Sequence, residues 1–148
     1  MAELYEVLLV DGGTRWHAGW VIDDETETDL LLTDKGKVLL FASRAGLEHH
    51  AQQHHLPLHD GVPDEVDLDL GGWLSTGSPE PSTAEVSELW HLLYDDPVAG
   101  HALAGEDLGE AYDDLVEEAD DWFEVHGLHA RKALSQAVLR LRSALRTV

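Results

Sequence analysis

Residues 4–22 read LYEVLLVDGGTRWHAGWVI, and the fold turns on this stretch. Two runs rich in aliphatic and aromatic residues, Leu4–Val10 and Trp16–Ile22, flank the turn signal Asp11-Gly12-Gly13. That is the pattern of an antiparallel hairpin. Toward the C-terminus, acidic Asp23–Asp29 makes a second connection. Leu30–Thr33 and Val38–Ala42 then flank Asp34-Lys35-Gly36, a short loop with glycine where a positive φ is needed. Residues 1–43 therefore predict an antiparallel β-meander of three to four strands, whose apolar face needs a cover.

At Ser43 the hydrophobic period changes. Ser43 is placed as the N-cap of a helix over Arg44–His55 that stops before Pro57. Residues 56–82, with four of the five prolines, read as an irregular acidic connection holding at most a helical turn near Trp73-Leu74. Ser82 and Glu85 have capping-box spacing, and Val86, Leu89, Trp90 and Leu93 follow on one helical face, ended by Asp95-Asp96-Pro97. A longer helix over Asp107–His126 carries Leu108, Ala111, Leu115 and Trp122 in its stripe, and Gly127 serves as its C′ residue. A last helix spans Leu128–Arg146, antiparallel to it across the short break. The expectation is an α+β fold: one domain over 1–148, strand-rich in 1–43 and helix-rich in 44–148, the meander packed against three to four helices.

The charge is extreme. Thirty acidic residues against nine basic ones give a net charge of −21, which repels nucleic acid and anionic lipid and attracts basic partners. It is also segregated. No lysine or arginine lies between Ala45 and Ala130, a stretch with 21 acids, and no acid follows Glu124 while Arg131, Lys132, Arg140, Arg142 and Arg146 do. Glu110/Asp114, Asp113/Glu117, Asp114/Glu118 and Glu117/Asp121 are like-charge i,i+4 pairs, each costing about 0.2–0.5 kcal/mol in an isolated helix. A solvated face, adaptation to high salt and a surface for a basic protein are the three readings of this pattern. The acid-free last helix argues against salt adaptation as the whole answer.

Catalytic signals are missing. With no cysteine there is no disulfide, thiolate nucleophile or thiolate metal site. Asp67-Leu68-Asp69 opens like a calcium loop but puts Gly71 and Ser78 where ligands belong, and no phosphate-loop, GxGxxG or GxSxG pattern occurs. His50 and His54, four apart, have the spacing for two imidazoles on one metal, a weaker alternative because no HExxH glutamate accompanies them. No apolar run is long enough to span a bilayer, and no leader pattern opens the chain, so a cytoplasmic protein is expected.

The run from Val66 to Asp96 carries a resemblance. Asp67-Leu68-Asp69, then Trp73-Leu74, then Leu89-Trp90-His91-Leu92-Leu93-Tyr94-Asp95-Asp96, resembles the bacterial intracellular inhibitors of secreted guanyl-specific ribonucleases, the larger type that does the work of barstar. In that pattern a tryptophan, a polar residue, an apolar pair and an acid close a helix; here His91 stands where asparagine is expected. The strand-rich start also departs from barstar, which is smaller and has a parallel sheet. The resemblance implies an acidic protein that plugs the phosphate-binding cleft of a basic ribonuclease.

These readings converge on binding without catalysis and without a cofactor. The expected partner is a basic protein, a small secreted ribonuclease, with nucleic acid and membranes excluded; an acidic adaptor or DNA-mimic domain is the alternative. An aromatic beside carboxylates can mimic a base stacked above phosphates, which points to Tyr94, Asp95 and Asp96. Asp113, Asp114 and Glu117 extend the group if their helices pack side by side.

Overall fold

The computed structural model describes residues 2–97 and 99–148. It is α+β, as the change of period at Ser43 predicts. Residue contacts group the chain into two compact units, residues 1–67 with 144–148, and residues 68–143.

In the first unit, β1 (Ala2–Asp11) and β2 (Thr14–Asp23) form the expected hairpin, with Leu4 opposite Val21 and Leu9 opposite Trp16. β3 (Thr28–Leu31) continues the meander antiparallel to β2. The fourth strand leaves it. β4 (Thr33–Asp34) and β5 (Lys37–Leu40) pair in a second, three-stranded sheet. α1 (Arg44–Gln53) starts where Ser43 caps it, the Ser43 hydroxyl accepting from the Gly46 amide at 3.2 Å. Its Leu47 and Ala51 close a core with Leu4, Leu32, Leu39 and Phe41. So the meander's apolar face finds part of its cover within this unit.

Two parallel pairings depart from the expected meander. β6 (Asp64–Asp67) lies in the stretch read as irregular and adds a parallel edge to β1, completing the order β3-β2-β1-β6. β7 (Leu145–Thr147) ends what read as one helix to Arg146 and pairs parallel with β5. Only Val66 of β6 is buried, so its two-residue period has almost nothing to show in sequence.

The second unit is helical. After a 3-10 turn at Leu70–Gly72 come α2 (Trp73–Thr76), α3 (Thr83–Tyr94), α4 (Glu106–Val116) and α5 (Trp122–Ser143). α3 begins on the capping box read from sequence: Ser82 Oγ accepts from the Glu85 amide at 3.1 Å, and the Glu85 carboxylate accepts from the Ser82 amide at 3.1 Å. α5 contacts α2, α3 and α4, and Trp90, Trp122, Leu93, Leu115 and Leu134 are among the side chains wholly buried.

The helix break is not at Gly127. α4 stops at Glu117, and Glu118 takes the left-handed conformation (φ 55°) more usual for a terminal glycine. Acids crowd the run Glu117-Glu118-Ala119-Asp120-Asp121. They oppose the negative end of α4 but suit the positive end of α5, so electrostatics favour a break there. Gly127 remains helical and buried inside α5, where a Cβ would meet Phe123 Cβ at 3.6 Å and Trp73 Cζ2 at 4.0 Å.

Candidate functional site

Tyr94 ends α3 with its side chain 57% exposed, and Asp95 follows as the exposed C-cap. Asp96 differs. It is 5% exposed, and its Oδ1 accepts from the Ala99 amide at 2.9 Å. The Gly100 amide adds a 2.8 Å bond to the Asp96 carbonyl, and a Cβ on Gly100 would fall 2.3 Å from the Tyr94 carbonyl oxygen. Asp96 therefore secures the turn after α3. Tyr94 and Asp95 are the members of the triplet that reach solvent.

α3 packs on α4 through Tyr112. Its ring meets Trp90 edge-on at 5.9 Å, and its hydroxyl is hydrogen-bonded to His91. His91 is three and four residues before Tyr94 and Asp95, hence on the same helical face, and Tyr112 adjoins Asp113. The exposed end of α3 is thus joined to α4 through the Tyr112–His91 bond.

On α4, Glu106, Glu110, Asp113 and Glu117 recur at i, i+4, i+7 and i+11, all exposed. Glu106 lies in the first turn, where a carboxylate is favourable. Asp113, Asp114 and Glu117 lie at the other end, against the negative pole of the helix, with no basic residue in the last turn. Asp114 has a partner: its Oδ2 is 2.7 Å from His126 Nε2 on α5. Glu110, Asp113 and Glu117 make no ion pair among the described residues.

His50 and His54 do come together at the end of α1, ring centroids 4.2 Å apart, with Phe41 5.6 Å from His50. Burial holds the His50 pKa below its ordinary value; the nearby His54 charge lowers it further, and Asp34 opposes both. Among the described residues, no set of three or more histidines and carboxylates converges to hold a metal.

A charged cluster in the first unit escaped the sequence reading. Glu6 is buried in β1, its Oε2 2.7 Å from His17 Nδ1 and its Oε1 3.2 Å from Arg44 Nη1. Arg44 also donates to Glu48 at 2.9 Å and to the His59 carbonyl at 3.3 Å. Glu6 pairs with Gly19 across the hairpin, which makes His17 its diagonal neighbour on the same face. The signal was present: an acid breaking the apolar run of β1 on the parity of Leu4. Its oxygens are satisfied, and it ties α1 to the sheet.

No known protein family and no curated protein matches the chain. In fold the chain is similar to the crystal structure of the SatS C-terminal domain in complex with bromine. The TM-score is 0.60 at 12% sequence identity, over 98% of this chain and 94% of that one. At that identity the likeness shows the fold alone. Among the described residues no helix is long and apolar enough to cross a membrane.

Proposed function

We propose that the protein is a non-enzymatic binding module for a basic protein, held on the exposed acids of α4 and on Tyr94 and Asp95 at the end of α3. One observation carries this reading. Asp113 and Glu117 stand at the unfavourable end of their helix, four residues apart, exposed and without an ion pair among the described residues. Helix stability argues against acids at these positions. A cationic partner turns the same charges into attraction and gives that cost a purpose.

The resemblance in residues 66–96 supplies a definite candidate, a small secreted guanyl-specific ribonuclease. Its phosphate cleft gathers cations beside a base site, which the carboxylates and Tyr94 would match. Such a protein needs no cofactor, and the same face repels nucleic acid and anionic membranes.

The test is inhibition of a panel of these ribonucleases by the full chain, with calorimetry at low and moderate salt. Stoichiometric inhibition that weakens with salt, and falls in the Asp113→Asn/Glu117→Gln variant, is expected. A panel without inhibition removes the ribonuclease as partner and leaves the acidic adaptor. Affinity for basic proteins that ignores those two substitutions removes the face itself.

A further inference from the structure

We propose that a groove along α5 docks an amphipathic segment of a partner protein, one with apolar anchors flanked by carboxylates. Leu128, Lys132, Ser135, Leu139 and Arg142 recur at i, i+4, i+7, i+11 and i+14, so they form one stripe of the helix. Leu128 is 66% exposed and Leu139 56%, on a helix whose opposite side is fully packed. α2 runs beside this stripe, pinned by Arg131, whose Nε donates to the Trp73 carbonyl at 2.8 Å.

Two hollows open between α2 and α5. The first, about 360 Å³, is bordered by Leu128 and Lys132; the second, about 180 Å³, by Leu68, Val138 and Leu139. Leu74 and Ser135 line both, so the two form one groove. The stretch of α5 from Leu128 to Arg142 is about 21 Å long at the helical rise, enough for a few turns of a docked helix. Each hollow has room for one apolar anchor.

Charge identifies the occupant. The groove is bordered by Arg131, Lys132 and Arg142 against Asp69 alone, in a chain whose net charge is −21. Lys132 is exposed and makes no ion pair among the described residues. A basic segment is repelled here and drawn to α4, whereas an acidic amphipathic segment gains both the apolar contacts and Lys132. The whole molecule repels such a ligand at long range, so recognition acts only at contact. At physiological ionic strength the screening length is about 8 Å, and association is faster there than in low salt, the reverse of binding at α4.

The groove is tested with the full chain and a labelled helix-forming peptide bearing leucines on one face and glutamates on the other, followed by fluorescence anisotropy. Saturable binding is expected, with an on-rate that rises between low and physiological salt. Lys132→Glu and the Leu128→Ser/Leu139→Ser pair are each expected to weaken it about tenfold or more. Both leucines are exposed, so the folded state survives their replacement, which a thermal melt verifies. Neutralising Glu110, Asp113 and Glu117 should leave the affinity equal or better. Equal binding of a scrambled peptide, or binding indifferent to Lys132→Glu, overturns the proposal. So does self-association of the chain that is lost in Leu139→Ser, which would make a second copy the occupant.

Discussion

Asp96 Oδ1 accepts a hydrogen bond from the Ala99 amide at 2.9 Å, which makes a carboxylate that looks like part of an exposed acidic pair into the lock of a turn. Asp95, one residue earlier, is exposed. The neighbours therefore separate under mutation. Asp96→Ala should cost about 1–3 kcal/mol, because the buried amide loses its acceptor. Asp95→Ala should cost less, since the Asp95 side chain is exposed where Asp96 is buried. Urea denaturation of the two variants checks this, and equal losses would deny Asp96 its structural role.

Two glycines of the helical unit should respond oppositely to alanine. At Gly127 the new Cβ meets Phe123 and Trp73 at ordinary contact distances of 3.6 and 4.0 Å. Relief of helix-interior glycine should then stabilise the protein by about 0.5–1 kcal/mol. At Gly100 the Cβ falls 2.3 Å from the Tyr94 carbonyl oxygen, and backbone must move. Gly100→Ala should lower the melting temperature and Gly127→Ala should raise it.

Asp113→Asn with Glu117→Gln should stabilise the isolated protein while weakening its hold on a basic partner. The pair removes an i,i+4 repulsion and two charges at the wrong end of α4, together about 0.3–1 kcal/mol. Denaturation and partner titration on the same sample give both signs. A variant that loses stability would show that these acids serve the fold.

His50 predicts a pH dependence. Its folded pKa lies below the ordinary 6.5, through burial first and the His54 charge second. Between the folded and unfolded values the unfolded chain binds more protons, so stability increases with pH there. The contribution is fully present above about 6.5 and is lost as pH falls through the folded pKa. His50→Gln should flatten this part of the stability curve, and the His50 ring resonances should titrate below those of an exposed histidine.

Local signals were legible in the sequence; distant pairings were not. The β1–β2 hairpin, the Ser43 cap and the Ser82/Glu85 box each depend on residues a few positions apart, and each stands where its spacing puts it. β7 was hidden because Leu145 continues the stripe of Leu141 at helical spacing, and three residues carry no period of their own. Its partner β5 is more than a hundred residues away in the chain, Val38 pairing with Leu145, beyond any local rule. The exposed acids of α4 could be read from composition. The burial of Asp96 could not, since an acid in a turn shows no sign of the amide it will meet; the parity of Glu6 with Leu4 marked its face but not the histidine and arginine it meets.

The parallel pairing of β5 with β7, Val38 opposite Leu145 and Leu40 opposite Thr147, has a consequence for synthesis. A chain emerging from the ribosome presents β5 long before β7 exists. Until residues 144–148 emerge, the edge of β5 that will receive Leu145–Thr147 has open amides and carbonyls, among them the Val38 amide and the Leu40 carbonyl, later joined to Ala144 and Val148. The whole helical unit is translated in that interval and has time to form first. A stalled or shortened chain would thus display a bare strand edge, a template for pairing with other chains, in a molecule whose finished surface repels its own copies.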